Sequence, residues 1–404
     1  MAALRGAGSD DIEAARAELV RLDASLGPDL RPLPRDLAEV TRKALDRDST
    51  LFSFHLGDAV SWVWALDREG IAVYALPPRS VIESQGRQVL AAIGDDRPDA
   101  AALSAELFRT LFGPVAPRFR RAPHWLLALD ENLFDVPVPA LVETLAPEPR
   151  YVTERHTVEV VPGAAYWLES AERSQLPLAP LFVGVGDPIY NRADARLGRV
   201  PDGGRDALPL PRLVGSGAEI EDSARAWEGP AVLLRGGAAP REKLMEQLRR
   251  RPAAVHLATH YLESAAQSRY AGIALSLSPS GQTQLLTPLE ISHWRIETGL
   301  VVLSGCHSAA GAALPGTGVL GLTRAWLAAG AQSVVGTLWD TPDDYGVLFR
   351  AFYRSLRASP HMDVARALRD AQLEMIHSGG RRARPEYWGA YFIIGNQGKA
   401  VLPQ

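Results

Sequence analysis

One cysteine in 404 residues leaves no room for an internal disulfide framework, and a single thiolate cannot furnish a Cys-rich zinc site. No apolar run approaches the roughly 20 residues that a helix needs to cross a bilayer. Lysine and arginine gather into no basic arm, and 43 of them against 47 acids give a formal net charge of −4. That balance offers no electrostatic case for direct contact with nucleic acid. Arg5 stands as a lone positive charge with no apolar core after it, so the first residues do not read as a secretory signal. Gly311, Gly316 and Gly318 are not followed by Gly-Lys-Ser/Thr, so they do not make a phosphate loop. These absences predict a cytoplasmic protein with no metal or organic cofactor, no membrane and no nucleic-acid partner. A reducing compartment keeps a free thiol usable.

What the chain does have is the balance of an ordinary globular protein, 47% hydrophobic and 22% charged. Its length fits two to three domains or one large two-lobed unit. Residues 1–34 read as a helix, Asp10 to Leu26, and a proline-bearing linker. Residues 35–186 begin with an antiparallel meander, Leu51–Leu56, Val60–Leu66 and Ile71–Leu76. Helices at Ser80–Ile93 and Asp99–Phe112 follow, then strands at His124–Leu129, Thr157–Val161 and Leu181–Val185. Residues 187–213 are rich in Arg, Gly, Pro and Asp with little apolar period. They read as a surface loop between lobes, or as a cleavable linker offering Arg192, Arg196, Arg199, Arg205 or Arg212. Residues 214–404 alternate strands with helices of ten to fifteen residues, which implies crossovers and a parallel sheet.

Two strands of that last region end on reactive side chains. Ala254-Val255-His256-Leu257-Ala258-Thr259-His260 closes on a histidine, and Leu300-Val301-Val302-Leu303-Ser304-Gly305-Cys306 closes on the lone cysteine. Short apolar runs bounded by turn signals read as strands buried on both faces. Open α/β sheets place their ligands beyond the carboxyl ends of such strands. A thiol becomes a strong nucleophile when a nearby imidazole holds the thiolate. Cys306 follows His260 by 46 positions, close to the separation of about 50, histidine first, of caspases, and opposite in order to papain-like enzymes. His256 reads as a packed core histidine, and His307, next to the cysteine, is expected to point elsewhere. No third member of a triad suggests itself. An esterase is disfavoured by the lack of a Gly-x-Ser-x-Gly elbow before a helix.

Four segments in order resemble the core motifs of the CHAT domain, the caspase-like peptidase module related to separase. They are Val255–His260, Leu300–Cys306, Gly318-Val319-Leu320-Gly321-Leu322 and Gly330-Ala331-Gln332-Ser333-Val334-Val335-Gly336-Thr337-Leu338-Trp339. The resemblance extends back through Phe182–Pro188 to about Leu51. It implies an α/β fold, a caspase-like sandwich with a mostly parallel sheet flanked by helices. An active C-terminal lobe and a degenerate N-terminal lobe are expected. It also implies Cys306 as nucleophile, His260 as general base, and backbone N–H groups of Cys306 and Tyr261 as oxyanion donors. The family usually has glycine where Tyr261 stands, and a tyrosine that had to take positive φ there would be strained and would crowd the cleft.

For the pocket that receives the residue before the cut, Asp340 and Asp343 are the candidates, with a basic preference by analogy to separase. The competing reading of Leu338–Asp344 is a helix start, capped by Thr341 with Pro342 at its first position. Relatives of this kind are selective proteases in bacterial signalling and antiviral defence, some of them beside gasdermin-like pore-formers. The expectation is a cysteine endopeptidase with a protein substrate, switched on by an activating protein partner or by cleavage in 187–213. The alternative is an inactive scaffold that keeps the fold for protein binding.

Overall fold

Segments with uninterrupted apolar residues become the inner strands of one 11-stranded sheet, and an alternating segment becomes its edge. The computed structural model describes residues 37–163, 167, 178–197, 210–262, 272–278, 280–305, 320–339, 346–358 and 363–395. The expected helix at Asp10–Leu26 and the linker after it, Cys306, Asp340 and Asp343 lie outside these residues. Thr41–Gln404 forms one compact unit; of the other, Met1–Val40, only the start of a helix, Leu37–Ala44, is described. Among the described residues no helix is long and apolar enough to cross a membrane.

The strands in chain order are β1 (Ser49–His55), β2 (Ser61–Asp67), β3 (Gly70–Leu76), β4 (His124–Ala128), β5 (Val142–Thr144), β6 (Arg150–Tyr151), β7 (Thr157–Val160) and β8 (Ala179–Pro188). Then come β9 (Ala231–Gly236), β10 (Pro252–Ala258), β11 (Tyr261–Leu262), β12 (Gly272–Leu275), β13 (Gln284–Leu286), β14 (Thr298–Leu303), β15 (Ala331–Thr337) and β16 (Tyr391–Gly395). The large sheet runs β3-β2-β1-β4-β7-β16-β15-β14-β10-β8-β9. It is antiparallel only at β3–β2, β2–β1 and β16–β15. Two smaller sheets, β11-β12-β13 and β5-β6, stand apart from it.

β8 begins before the 187–213 segment and runs into its first two residues, yet it lies between β10 and β9, which both follow that segment. Ile273–Ser278 reads as a strand in the sequence, but only Gly272–Leu275 is one, and it pairs with β11 and β13 rather than in the large sheet.

Alternation along β10 and β14 divides the core in two. Val255, Leu257, Val301 and Leu303 face one apolar layer, under the helix Leu320–Ala329 with its buried Trp326. Ala254, Leu300 and Val302 face the other, under the helices Val347–Ala358 and Val364–His377. The helix Leu320–Ala329 ends on Gly330, whose φ of +118° suits a residue without Cβ. A Cβ there would sit 1.8 Å from the carbonyl oxygen of Ile296. Gly330→Ala is therefore expected to cost about 3 kcal/mol in a urea titration. A loss under half of that would show that the β14 approach shifts freely to make room.

Candidate functional site

At the carboxyl ends of β10 and β14 the chain leaves the sheet through short, tightly held turns. These strands are parallel neighbours, with Leu257 level with Leu303. β10 stops at Ala258, so the alternation that would set His256 and His260 on one face ends before His260. Thr259 and His260 turn instead toward β12. The Ala274 amide donates to the His260 carbonyl oxygen at 2.9 Å, and Thr259 Oγ1 donates to the Ala274 carbonyl at 2.6 Å. Because that hydroxyl proton is already used, the Tyr190 phenol is the donor across its 2.7 Å contact with Thr259 Oγ1. Burial pushes the Tyr190 hydroxyl pKa far up, which keeps it protonated for the task.

The His260 ring is held on two sides. Tyr190 meets it edge-on with ring centroids 4.8 Å apart. Its Nε2 lies 2.8 Å from the carbonyl oxygen of Pro211. A carbonyl has no proton to give, so Nε2 carries the hydrogen and donates it. In the neutral ring the lone pair is then on Nδ1. Burial lowers the pKa of this imidazole below its ordinary value, and the Pro211 contact partly opposes that fall. At neutral pH the ring is the base form.

Pro211 was invisible to residue-type reasoning, since its contribution is a backbone oxygen. Its position is fixed by an ion cluster. Asp187 is 2% exposed and takes φ +49°. It accepts Arg212 Nε at 2.9 Å and Arg212 Nη2 at 2.7 Å, a fork-to-fork pair, and Arg196 Nη1 at 2.7 Å. The Asp187 amide donates to Ser216 Oγ at 2.8 Å, and that hydroxyl donates to the Leu213 carbonyl. Arg196 also grips Asp194 and holds its carboxyl down at about 2. Of the arginines in this region, Arg196 and Arg212 are thus structural ligands of Asp187.

From β14 the chain continues as Ser304-Gly305, with Cys306 next in sequence. Three neighbours hold this turn. The Ser304 amide donates to the Leu257 carbonyl at 3.2 Å, Thr337 Oγ1 donates to the Gly305 carbonyl at 2.9 Å, and Ser304 Oγ lies 3.0 Å from His256 Nε2. His256 is fully buried, as a core histidine should be, and it also has a polar partner in Glu219.

Tyr261 does not take the positive φ that a glycine equivalent would allow. Its side chain is 8% exposed and turns inward, and its hydroxyl donates to the Leu257 carbonyl at 2.8 Å. The ring lies flush against Gly305: a Cβ on Gly305 would come within 2.1 Å of Tyr261 Cδ2 and 2.0 Å of the Thr259 carbonyl oxygen. The chain around His260 and the chain leading into Cys306 are therefore in direct contact. Leu338 and Trp339 are tied to the Ala390 and Glu386 carbonyls; Asp340 and Asp343, beyond them, are not described. Among the described residues no group of His, Cys, Asp and Glu could hold a metal ion.

Residues 101–396 match the CHAT domain. Tetratricopeptide repeat protein 28 of Homo sapiens is 33% identical over 133 residues, which make up 33% of this chain and 5% of that protein. Its Mus musculus counterpart is 33% identical over 131 residues. The chain thus covers about a twentieth of the length of these curated relatives. Among solved structures, the Saccharomyces cerevisiae separase–securin complex at 3.0 Å aligns with TM-score 0.54 at 10% identity, covering 95% of this chain and 31% of that one. A second structure of that complex gives 0.51 at 11% identity, covering 94% and 31%. At such identities the likeness is one of fold, and the fold is the expected mostly parallel sheet flanked by helices of caspase-like kind. With the match running over most of its length, the chain belongs to the CHAT domain family.

Proposed function

We propose that this protein is a cysteine endopeptidase in which His260 takes the proton of Cys306 and the thiolate attacks a peptide carbonyl. One observation carries the reading. A histidine held through Nε2, with no partner for its Nδ1 among the described residues, stands on a turn that packs against the turn leading into the only cysteine. The Pro211 carbonyl takes the orienting part that a carboxylate plays in other triads, steering the ring and fixing its tautomer. Backbone N–H groups of Cys306 and Tyr261 would receive the oxyanion. Asp340 or Asp343 would receive a basic side chain before the cut. The substrate is a protein, and a bacterial signalling or antiviral defence circuit is the setting, with a gasdermin-like pore-former as one candidate. A partner protein or a cut within 187–213 would switch the enzyme on. Pro211 makes that control direct, because it belongs to that segment and holds the base.

The test is a mixed peptide library incubated with the protein, with and without prior iodoacetamide, and read by mass spectrometry. Cuts that vanish on alkylation belong to Cys306, since no other thiol exists, and Arg or Lys before them supports the acidic pocket. Cuts indifferent to alkylation would sink the reading. The pH profile adds a second check. Because the His260 pKa is lowered, its base form persists to more acid pH than usual. kcat/KM is expected to fall only below the ordinary histidine midpoint of about 6.5.

A further inference from the structure

Beneath the Ser304–Gly305 turn lies a buried polar chain that the proposed chemistry does not use. His256 is fully buried in the centre of β10, on the layer shared with Phe182, Phe349 and Tyr353. Its Nε2 lies 2.9 Å from Glu219 Oε1 and 3.0 Å from Ser304 Oγ. Glu219 comes from the helix Val214–Trp227, which begins three residues after Pro211. His256 Nδ1 is buried and has no hydrogen-bond partner among the described residues. A carboxylate has no proton to give, so Nε2 is the nitrogen that carries a hydrogen toward Glu219. That hydrogen serves the Glu219 carboxylate, with Ser304 Oγ as second neighbour.

The packing around Glu219 is tight as well. Gly346 has φ +70°, and a Cβ there would come within 2.4 Å of Glu219 Cγ. Two other segments therefore meet the Glu219 side chain: β10, through His256 at the carboxylate, and Gly346 at the Cγ.

We propose that Glu219 and His256 are positioning residues for the nucleophile turn: through Ser304 they set the height and direction of the peptide from which Cys306 departs. Buried polar groups hydrogen-bonded to one another specify one geometry where apolar packing alone tolerates several. The inference rests on the dyad reading above. It adds that the base and the nucleophile turn are registered by one stretch of chain. Pro211 holds His260, and Glu219, eight residues on, holds Ser304 through His256.

Alkylation of the sole thiol by iodoacetamide, followed by intact mass, reports Cys306 alone and needs no substrate. Ser304→Ala and His256→Phe, the latter keeping an aromatic ring in the cage, are expected to slow alkylation at pH 7 by about ten- to a hundredfold. Displacing the turn removes the thiol from its base and lowers the thiolate fraction. The double variant is expected to be no slower than the slower single one, and Glu219→Gln, which keeps an acceptor oxygen, retains most of the rate. Thermal melts of the same proteins identify a merely structural role: a lowered Tm with a wild-type alkylation rate overturns the proposal. Independent, multiplying losses in the double variant also overturn it. His260→Ala separates the two readings. A wild-type rate in that variant defeats the dyad itself, whereas a slow His260→Ala beside a wild-type Ser304→Ala defeats only the positioning role.

Discussion

His260→Ala is expected to lower kcat/KM for peptide cleavage by about three orders of magnitude, with Cys306→Ala setting the floor. Without the imidazole the thiol returns toward its ordinary pKa of about 8.5, so only a few per cent is thiolate at pH 7. Protein stability should hardly respond. His260 stands beyond the end of β10, its ring is half-buried, and the backbone bond from Ala274 to its carbonyl survives the substitution. The substitution does leave the Pro211 carbonyl without its donor, but that oxygen lies beside an exposed edge where water can replace the ring. Steady-state kinetics on any peptide the library yields, with a thermal melt alongside, make the comparison. Activity within tenfold of wild type would mean that another group takes the proton, and His260 would lose its assignment.

A second large effect is expected at a residue that carries no chemistry. Gly305→Ala puts a methyl group 2.0 Å from the Thr259 carbonyl oxygen and 2.1 Å from the Tyr261 ring. Neither neighbour retreats easily. The Thr259 backbone is pinned because its hydroxyl, buried with Tyr190, bonds Ala274, and Tyr261 is anchored at its hydroxyl by Leu257. Stability is expected to fall by about 3 kcal/mol or more, and alkylation of Cys306 to lose its enhanced rate. Combining the change with Tyr261→Gly should not restore either property, since the Thr259 oxygen still occupies the space. Full rescue by the double variant would show that the ring alone blocks the site. Urea titration and the alkylation rate, measured on both proteins, decide this.

The strands that build the centre were legible in the sequence because continuous valine, leucine and alanine runs have few alternatives. β10 and β14 fall within two residues of their expected bounds at most ends, as does β15, which reads as Ser333–Trp339 in the sequence. The end of β10 was overextended because Thr259 and His260 look like further strand; their bonds to Ala274 are long-range and leave no local pattern. The pairing of Gly272–Leu275 was missed for the same reason. Within the site, His260 and the turn before Cys306 could be seen as reactive types at strand ends. Pro211 could not, because a main-chain oxygen 49 positions away looks the same in every residue. Glu219 was hidden as one acid among several on an amphipathic helix. His256 was legible as a core residue, and its polar partners were not. Tyr261 illustrates the limit of substituting one residue type in a motif: the departure from glycine was visible, but the inward turn of its ring depends on where the Leu257 carbonyl lies.

The place of β16 has a consequence for the order of events during synthesis. Residues 391–395 form the latest strand of the described sequence, yet they occupy the middle of the sheet, joining β7 on one side and β15 on the other. A nascent chain that has emerged from the ribosome only as far as Trp388 carries two half-sheets, each with an open inner edge. Those edges are exposed apolar templates for pairing with another chain until the last strand arrives. The β15 edge belongs to the half that carries His260 and the turn into the cysteine, so the half-sheet bearing the reactive turn stays open on its inner side until translation has passed Gly395.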